Sequence, residues 1–148
     1  MSMLPQHLSL VTLGVADLAR ARSFYASLGL EPSGFQSEEV VFFDMNGVVL
    51  ALFPREALAE DAGVSPEGSG FRAASLAFNV RSEAEVAAAL NEVEAKGGRI
   101  VRPARKAPWG GYSGYFADLD GHLWEVAYNP GFPLDSDGRL QIPPPRRS

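Results

Sequence analysis

Residues 11–30 read VTLGVADLARARSFYASLGL, and they carry a strand into a helix. The segment HLSLVTLGV, residues 7–15, is short, partly β-branched and stops at Ala16–Asp17, so it predicts a strand. Asp17 suits a helix N-cap, because its carboxylate can accept one of the orphan N–H groups of a first turn. Leu18, Ala21, Tyr25 and Leu28 follow at helical spacing. Gly29 stands where a glycine ends a helix.

Working outward, three short strands are expected next, at Pro32–Gln36, Val40–Met45 and Val48–Phe53. Asn46–Gly47 joins the last two as a two-residue hairpin turn, since both residues tolerate positive φ. The pattern then recurs. Ala74–Val80 predicts a strand, and Ser82 with Glu85 forms a capping box ahead of a helix whose buried stripe is Val86, Leu90 and Val93. Strands are expected at Arg99–Val101, Gly114–Ala117 and Leu123–Tyr128, with Asp120–Gly121 as the final turn. Val15–Ala16–Asp17 aligns with Val80–Arg81–Ser82, and Asn46–Gly47 aligns with Asp120–Gly121. The extra length of the second half falls in the loop Pro103–Ser113. The fold class is therefore α+β: two βαβββ modules, an internal duplication. Module one covers about 6–54 and module two about 73–129. Residues 55–72 form a linker with one helical turn at Arg55–Ala59, and 130–148 an extended C-terminal arm, all within a single domain over 1–148.

A chain of 148 residues, 46% hydrophobic and 21% charged, suits a folded domain and not a disordered one. Its net charge of -5 argues against nucleic acid, which calls for a basic face. The basic clusters Arg102–Arg105–Lys106 and Arg146–Arg147 are expected to be solvated loop and tail. There is no cysteine, which removes thiolate ligands and cysteine nucleophiles. No stretch approaches the roughly 20 apolar residues of a membrane helix. MSMLPQHLSL lacks the layout of a secretory signal, so a cytoplasmic location is expected.

VTLGVADLARARSFYASLGL resembles the opening strand and helix of the vicinal oxygen chelate superfamily, which holds glyoxalases, bleomycin-resistance proteins and extradiol dioxygenases. YFADLDGHLWEVAYNP, residues 115–130, resembles its closing hairpin, with a D-x-D-G turn and a glutamate four residues past the glycine. With the duplication, the resemblance covers most of residues 7–129. It implies two modules whose sheets curl around a cavity, and in enzymatic members a divalent metal held by four residues. Those positions fall here on Leu10, Ala51, Ser75 and Glu125. Leucine and alanine have no lone pair to give, and one carboxylate with a serine hydroxyl is too few donors for a divalent ion. No metal and no cofactor is therefore expected. His7 and His122 alternate away from the ligand positions.

Strand alternation assigns a cavity side to Leu123, Glu125 and Ala127, to Val49, Ala51 and Phe53, to Leu8, Leu10 and Thr12, and to Ser75, Ala77 and Asn79. Phe43 and Tyr115 are expected to join from the middle strands. The residues expected to contact a ligand are Glu125, Ser75, Asn79, Phe43, Phe53, Trp109, Tyr112 and Tyr115. Trp109 and Tyr112 sit in APWGGYSGYF, residues 107–116, where Gly110–Gly111 allows a sharp turn. Glu125 is also the candidate catalytic group, since desolvation penalises its charge and makes it a possible general acid or base. Its alternative role is a hydrogen bond to Ser75 or Tyr112. The expected partner is a small organic molecule, with a cationic one suited to the acidic chain, and the expected assembly a homodimer. A metal-dependent enzyme resembling lactoylglutathione lyase or a ring-cleaving dioxygenase, and a metal-free enzyme using Glu125, stand as alternatives. Whether the chain catalyses anything is left open.

Overall fold

The computed structural model describes residues 4–146, and the chain divides into two compact units, up to Arg72 and from Ala73. Arg147 and Ser148, the last residues of the expected basic tail, lie outside the described residues. The element order is mixed α and β, as expected: β1 (Leu10–Val15), α1 (Leu18–Ser27), β2 (Val41–Asp44), β3 (Val49–Pro54) and α2 (Arg55–Ala62) in unit one. Unit two follows with β4 (Leu76–Asn79), α3 (Glu83–Ala95), β5 (Arg99–Lys106), β6 (Tyr112–Ala117) and β7 (Leu123–Tyr128).

Unit one is a three-stranded sheet of order β1-β3-β2, with β1 parallel and β2 antiparallel to β3. Asp17 caps α1 by accepting from the Arg20 N–H at 3.0 Å. Ala21, Phe24 and Tyr25 form its buried stripe. Tyr25 reaches the sheet at Phe43, ring centroids 6.1 Å apart. Leu13, Leu50 and Leu52 complete that buried layer. At the hairpin Asn46 (φ 62) and Gly47 (φ 112) both take positive φ, and the Met45 N–H donates to Val48 O at 2.8 Å.

Unit one departs from the pattern expected of its sequence in three places. The first strand begins at Leu10, so His7 and Leu8 precede it. Pro32–Gln36 is not a strand. Pro32 makes an isolated bridge to Phe43, and Ser33 then turns the chain by accepting from the Phe35 N–H with its own hydroxyl. Residues 55–72 hold two helical turns, not one, ending at Gly63 in the left-handed region. Beyond them, the Arg55 guanidinium donates to Pro66 O and Gly68 O, both at 2.9 Å.

Unit two is a four-stranded sheet of order β4-β7-β6-β5. Ser82 accepts from the Glu85 N–H at 3.2 Å, while the Glu85 carboxylate accepts from the Arg81 N–H at 2.7 Å. This is a capping box shifted by one donor. Val86, Leu90 and Val93 are buried, as the spacing predicts. Against α3 the sheet places Trp124, stacked between Phe78 at 4.8 Å and Phe116 at 6.2 Å.

Unit two also departs from the pattern expected of its sequence. β4 is shorter than Ala74–Val80, which leaves Ser75 just before it. β5 runs on to Lys106 and β6 starts at Tyr112, so the expected loop Pro103–Ser113 shrinks to Ala107–Gly111. Arg102, Arg105 and Lys106 are strand residues, not loop. Pro103 is tolerated because β5 is an edge strand. The last turn spans Asp118–His122, where the buried Asp118 carboxylate accepts from the N–H groups of Asp120 and His122 at 2.9 and 2.8 Å. The C-terminal arm is not simply extended. Leu134 bridges Leu140, the Asp135 carboxylate accepts from the Asp137 and Arg139 N–H groups, and Arg81 donates to Asp135 O at 2.6 Å. Among the described residues, no helix is long and apolar enough to cross a membrane.

Candidate functional site

Register decides which side chains share a face, because directly paired residues on neighbouring strands point the same way. In unit two one row runs across the whole sheet: Ala77 of β4, Glu125 of β7, Tyr115 of β6 and Arg102 of β5. The next row is Asn79, Ala127, Ser113 and Arg105. Both lie on the side away from Trp124 and Phe116, hence away from α3. Glu125 and Tyr115 are half-buried, whereas Arg102 and Ser75 are exposed.

Tyr115 and Glu125 are paired neighbours on β6 and β7. The Tyr115 hydroxyl holds its proton above the usual tyrosine range. Burial is the largest cause, followed by the charge of the Glu125 carboxylate and the hydrogen bond to it, while the Arg102 guanidinium pulls the other way. Tyr115, in place of the expected Ser75 or Tyr112, thus donates its hydroxyl to the Glu125 carboxylate.

Tyr112 belongs to the other side of the sheet, in a row with Tyr128 and Lys106. The Lys106 ammonium lies 2.7 Å from the Glu83 carboxylate of α3. That hydrogen bond and the Glu83 charge raise its pKa. Trp109 is 51% exposed, and its ring folds back over Gly111, where any Cβ would collide with it. Tyr112 and Trp109 therefore do not flank one ligand on the Glu125 side.

In unit one the equivalent row is Thr12, Ala51 and Phe42. Phe43 pairs with Leu50, is 1% exposed and packs on Tyr25, so it belongs to the core under α1 and not to the Ala51 face where it was expected. Phe53 pairs with Gly14 and keeps the side expected for it. Leu10 shares that side but is 47% exposed, while Ala51 is 1% exposed.

The donor set does not fit a divalent metal. Unit one offers Leu10 and Ala51 at the family positions, neither with a lone pair, and unit two offers a serine and one carboxylate. Among the described residues no three of His, Cys, Asp and Glu come together as a metal-binding group.

Arg102 was not foreseen as a site residue. Its signal was present in the spacing Arg99–Arg102–Arg105, but a regular strand of period two would split those residues between faces.

This topology and these rows define a glyoxalase-type α+β protein. The model of the Glyoxalase/Bleomycin resistance protein/Dioxygenase superfamily matches residues 7–126, and the chain belongs to that superfamily. A glyoxalase-related enzyme from Fulvimarina pelagi is similar at 42% identity over 93% of this chain and 99% of that one, with a TM-score of 0.85. A glyoxalase/bleomycin resistance protein/dioxygenase from Nocardioides is similar at 25% identity over 86% and 85%, TM-score 0.72. A lactoylglutathione lyase from Agrobacterium tumefaciens is similar at 25% identity over 84% and 95%, TM-score 0.65. No curated protein matches the chain.

Proposed function

We propose that the protein binds a small organic molecule without a metal, on the sheet face of unit two that carries Glu125 and Tyr115. The observation that carries this is the donor set: Leu10 and Ala51 replace two family ligands with hydrocarbon, and Glu125 is the lone carboxylate of the four. Glu125 then answers to Tyr115, which gives a ligand one acceptor and one phenol side by side. In this reading Ser75, just before β4, and Asn79, one row along the same face as Glu125, supply further polar contacts. A cytoplasmic location is part of the same reading, in keeping with a chain that has no cysteine.

A second reading, proton transfer by Glu125 in a metal-free enzyme, draws support from the same pair. A phenol hydrogen-bonded to a carboxylate can steady it as it gains or loses a proton. The 42% identity to a protein described as a glyoxalase-related enzyme also favours it.

The test is metal analysis of protein purified without chelators, repeated after soaking in Ni, Mn, Fe or Zn and desalting. Substoichiometric metal in every case is expected. Near-stoichiometric metal that disappears in Glu125→Ala would overturn the proposal and send the work to glyoxalase and dioxygenase substrates.

A further inference from the structure

The edge strand β5 carries Arg99, Arg102 and Arg105 at a spacing of three. A regular strand would point Arg102 to one side and the other two to the opposite side. Their partners on β6 are Ala117, Tyr115 and Ser113, alternate residues that share one face. The register shifts between Ile100 and Arg102, and again between Arg102 and Arg105. Each shift inserts one extra residue on β5, a bulge, and each bulge returns the next arginine to the same side. Three arginines therefore stand in a single row beside the Tyr115 face of β6. Alternate β6 residues are about 6.5–7 Å apart, so the row spans roughly 13 Å.

Gly114 makes room for this irregular backbone. A Cβ there would lie 2.9 Å from both Arg102 O and Ala104 N, and would collide with Leu90. The bulges and the glycine facing them form one device.

The arginines are exposed, and among the described residues none of them is ion-paired with a carboxylate. Lys106, the next basic residue along β5, provides the contrast. It points to the α3 side and is neutralised by Glu83 at 2.7 Å. The chain as a whole is acidic, at -5, so a cationic row on this one face runs against the overall sign. Guanidinium groups match carboxylate and phosphate oxygens with paired hydrogen bonds.

The geometry points to an anion-binding row: Arg99, Arg102 and Arg105 bind the carboxylate or phosphate group of a small organic anion whose body lies over Tyr115. This rests on the proposed binding face and names its ligand class, and it reverses the expectation of a cationic ligand. Glu125 sits beyond Tyr115 from the arginines, where it would contact a neutral or donor group of the same molecule.

The experiment titrates isotope-labelled protein with phenyl phosphate and benzoate, with neutral benzamide and cationic benzylamine as matched probes. Inorganic phosphate reports on the oxyanion alone. NMR shifts locate each site and give its affinity. The two anions are expected to bind tighter than benzamide, to shift β5 and β6 resonances, and to weaken as salt rises. Whether benzoate or phenyl phosphate binds tighter assigns carboxylate or phosphate as the preferred group.

Arg102→Gln should weaken the preferred anion about ten-fold or more, the scale for losing a charge-assisted hydrogen bond. Lys106→Gln removes the same charge from the other side and should change it less than about two-fold, as expected for an exposed residue off the site. Thermal melts confirm that both variants fold. Equal losses in the two variants would reduce the effect to bulk charge and overturn the proposal. So would anions binding no tighter than benzamide, or a short oligonucleotide binding tighter than either small anion. Binding that depends on Glu125 but not on Arg102 would sink the arginine row and leave the binding face standing.

Discussion

Ala51 in unit one and Glu125 in unit two occupy the same place in the same topology. Each lies four residues past a turn glycine, on a strand parallel to the first strand of its unit and antiparallel to the strand before it. The rows through them read Thr12–Ala51–Phe42 and Ala77–Glu125–Tyr115–Arg102. One row is apolar apart from a single hydroxyl. The other carries an acceptor, a phenol and a cation. The units also differ at the edge. Unit one stops at the isolated Pro32 bridge, whereas unit two adds the eight residues of β5 and with them the arginines. A duplicated backbone thus supports two divisions of labour: unit one keeps hydrocarbon where unit two gathers polar chemistry.

A reciprocal exchange is the strongest way to break that comparison. Ala51 is 1% exposed and has no cation in its row. Ala51→Glu should destabilise the protein by roughly 3–5 kcal/mol, the scale for an uncompensated buried charge. Glu125 is half-buried, so Glu125→Ala should stay within about 1 kcal/mol, near the net worth of one hydrogen bond. Urea denaturation of both variants measures the difference. Equal costs would mean that the two faces are equally wet and that the division does not exist.

Gly114→Ala sharpens the comparison at the edge strand. The added methyl meets Leu90 and the bulged backbone at Arg102 and Ala104. A loss of about 1–3 kcal/mol is expected, as for overpacking elsewhere. It should come with weaker anion binding, because relief of the clash must move β5. Gly14→Ala in unit one meets Arg55 Cα at a looser 3.2 Å and should cost less. If Gly114→Ala destabilises but leaves anion affinity unchanged, the glycine serves packing alone.

What could be read from sequence was local. The caps at Asp17 and Ser82 depend on residues three apart, and the Asn46–Gly47 turn on two adjacent ones, so all three were legible. Phase across a turn was not. A two-residue turn pairs Met45 with Val48 and so Phe42 with Ala51, which puts Phe43 in the core. In unit two the turn Asp118–His122 is longer, Ala117 pairs with Leu123, and Tyr115 meets Glu125 as expected. Alternation along one strand cannot pass that phase on; turn length does. The bulges in β5 were also hidden, because they depend on Gly114 across the strand pair. The Pro32–Gln36 segment looked extended, yet Pro32 lacks an N–H to donate and the Ser33 hydroxyl offers the Phe35 N–H a local partner.

The smallest expected effect tests the polar row itself. Burial first, then the Glu125 charge and hydrogen bond, raise the Tyr115 pKa, and Arg102 opposes them. Glu125→Gln should therefore lower that pKa while leaving it above the ordinary value, because burial remains. Arg102→Ala should raise it further. Tyrosinate absorbance, with Tyr115→Phe subtracted to remove Tyr25, Tyr112 and Tyr128, reads both shifts. The stability consequence follows from the sign. A folded-state pKa above the unfolded value gives a contribution fully present below the ordinary tyrosine range and lost as pH rises through the folded pKa. Wild-type protein should thus lose stability in alkali more steeply than Tyr115→Phe. If Glu125→Gln leaves the titration unmoved, Tyr115 and Glu125 do not act as a pair, and unit two's row is no more organised than the Thr12–Ala51–Phe42 row of unit one.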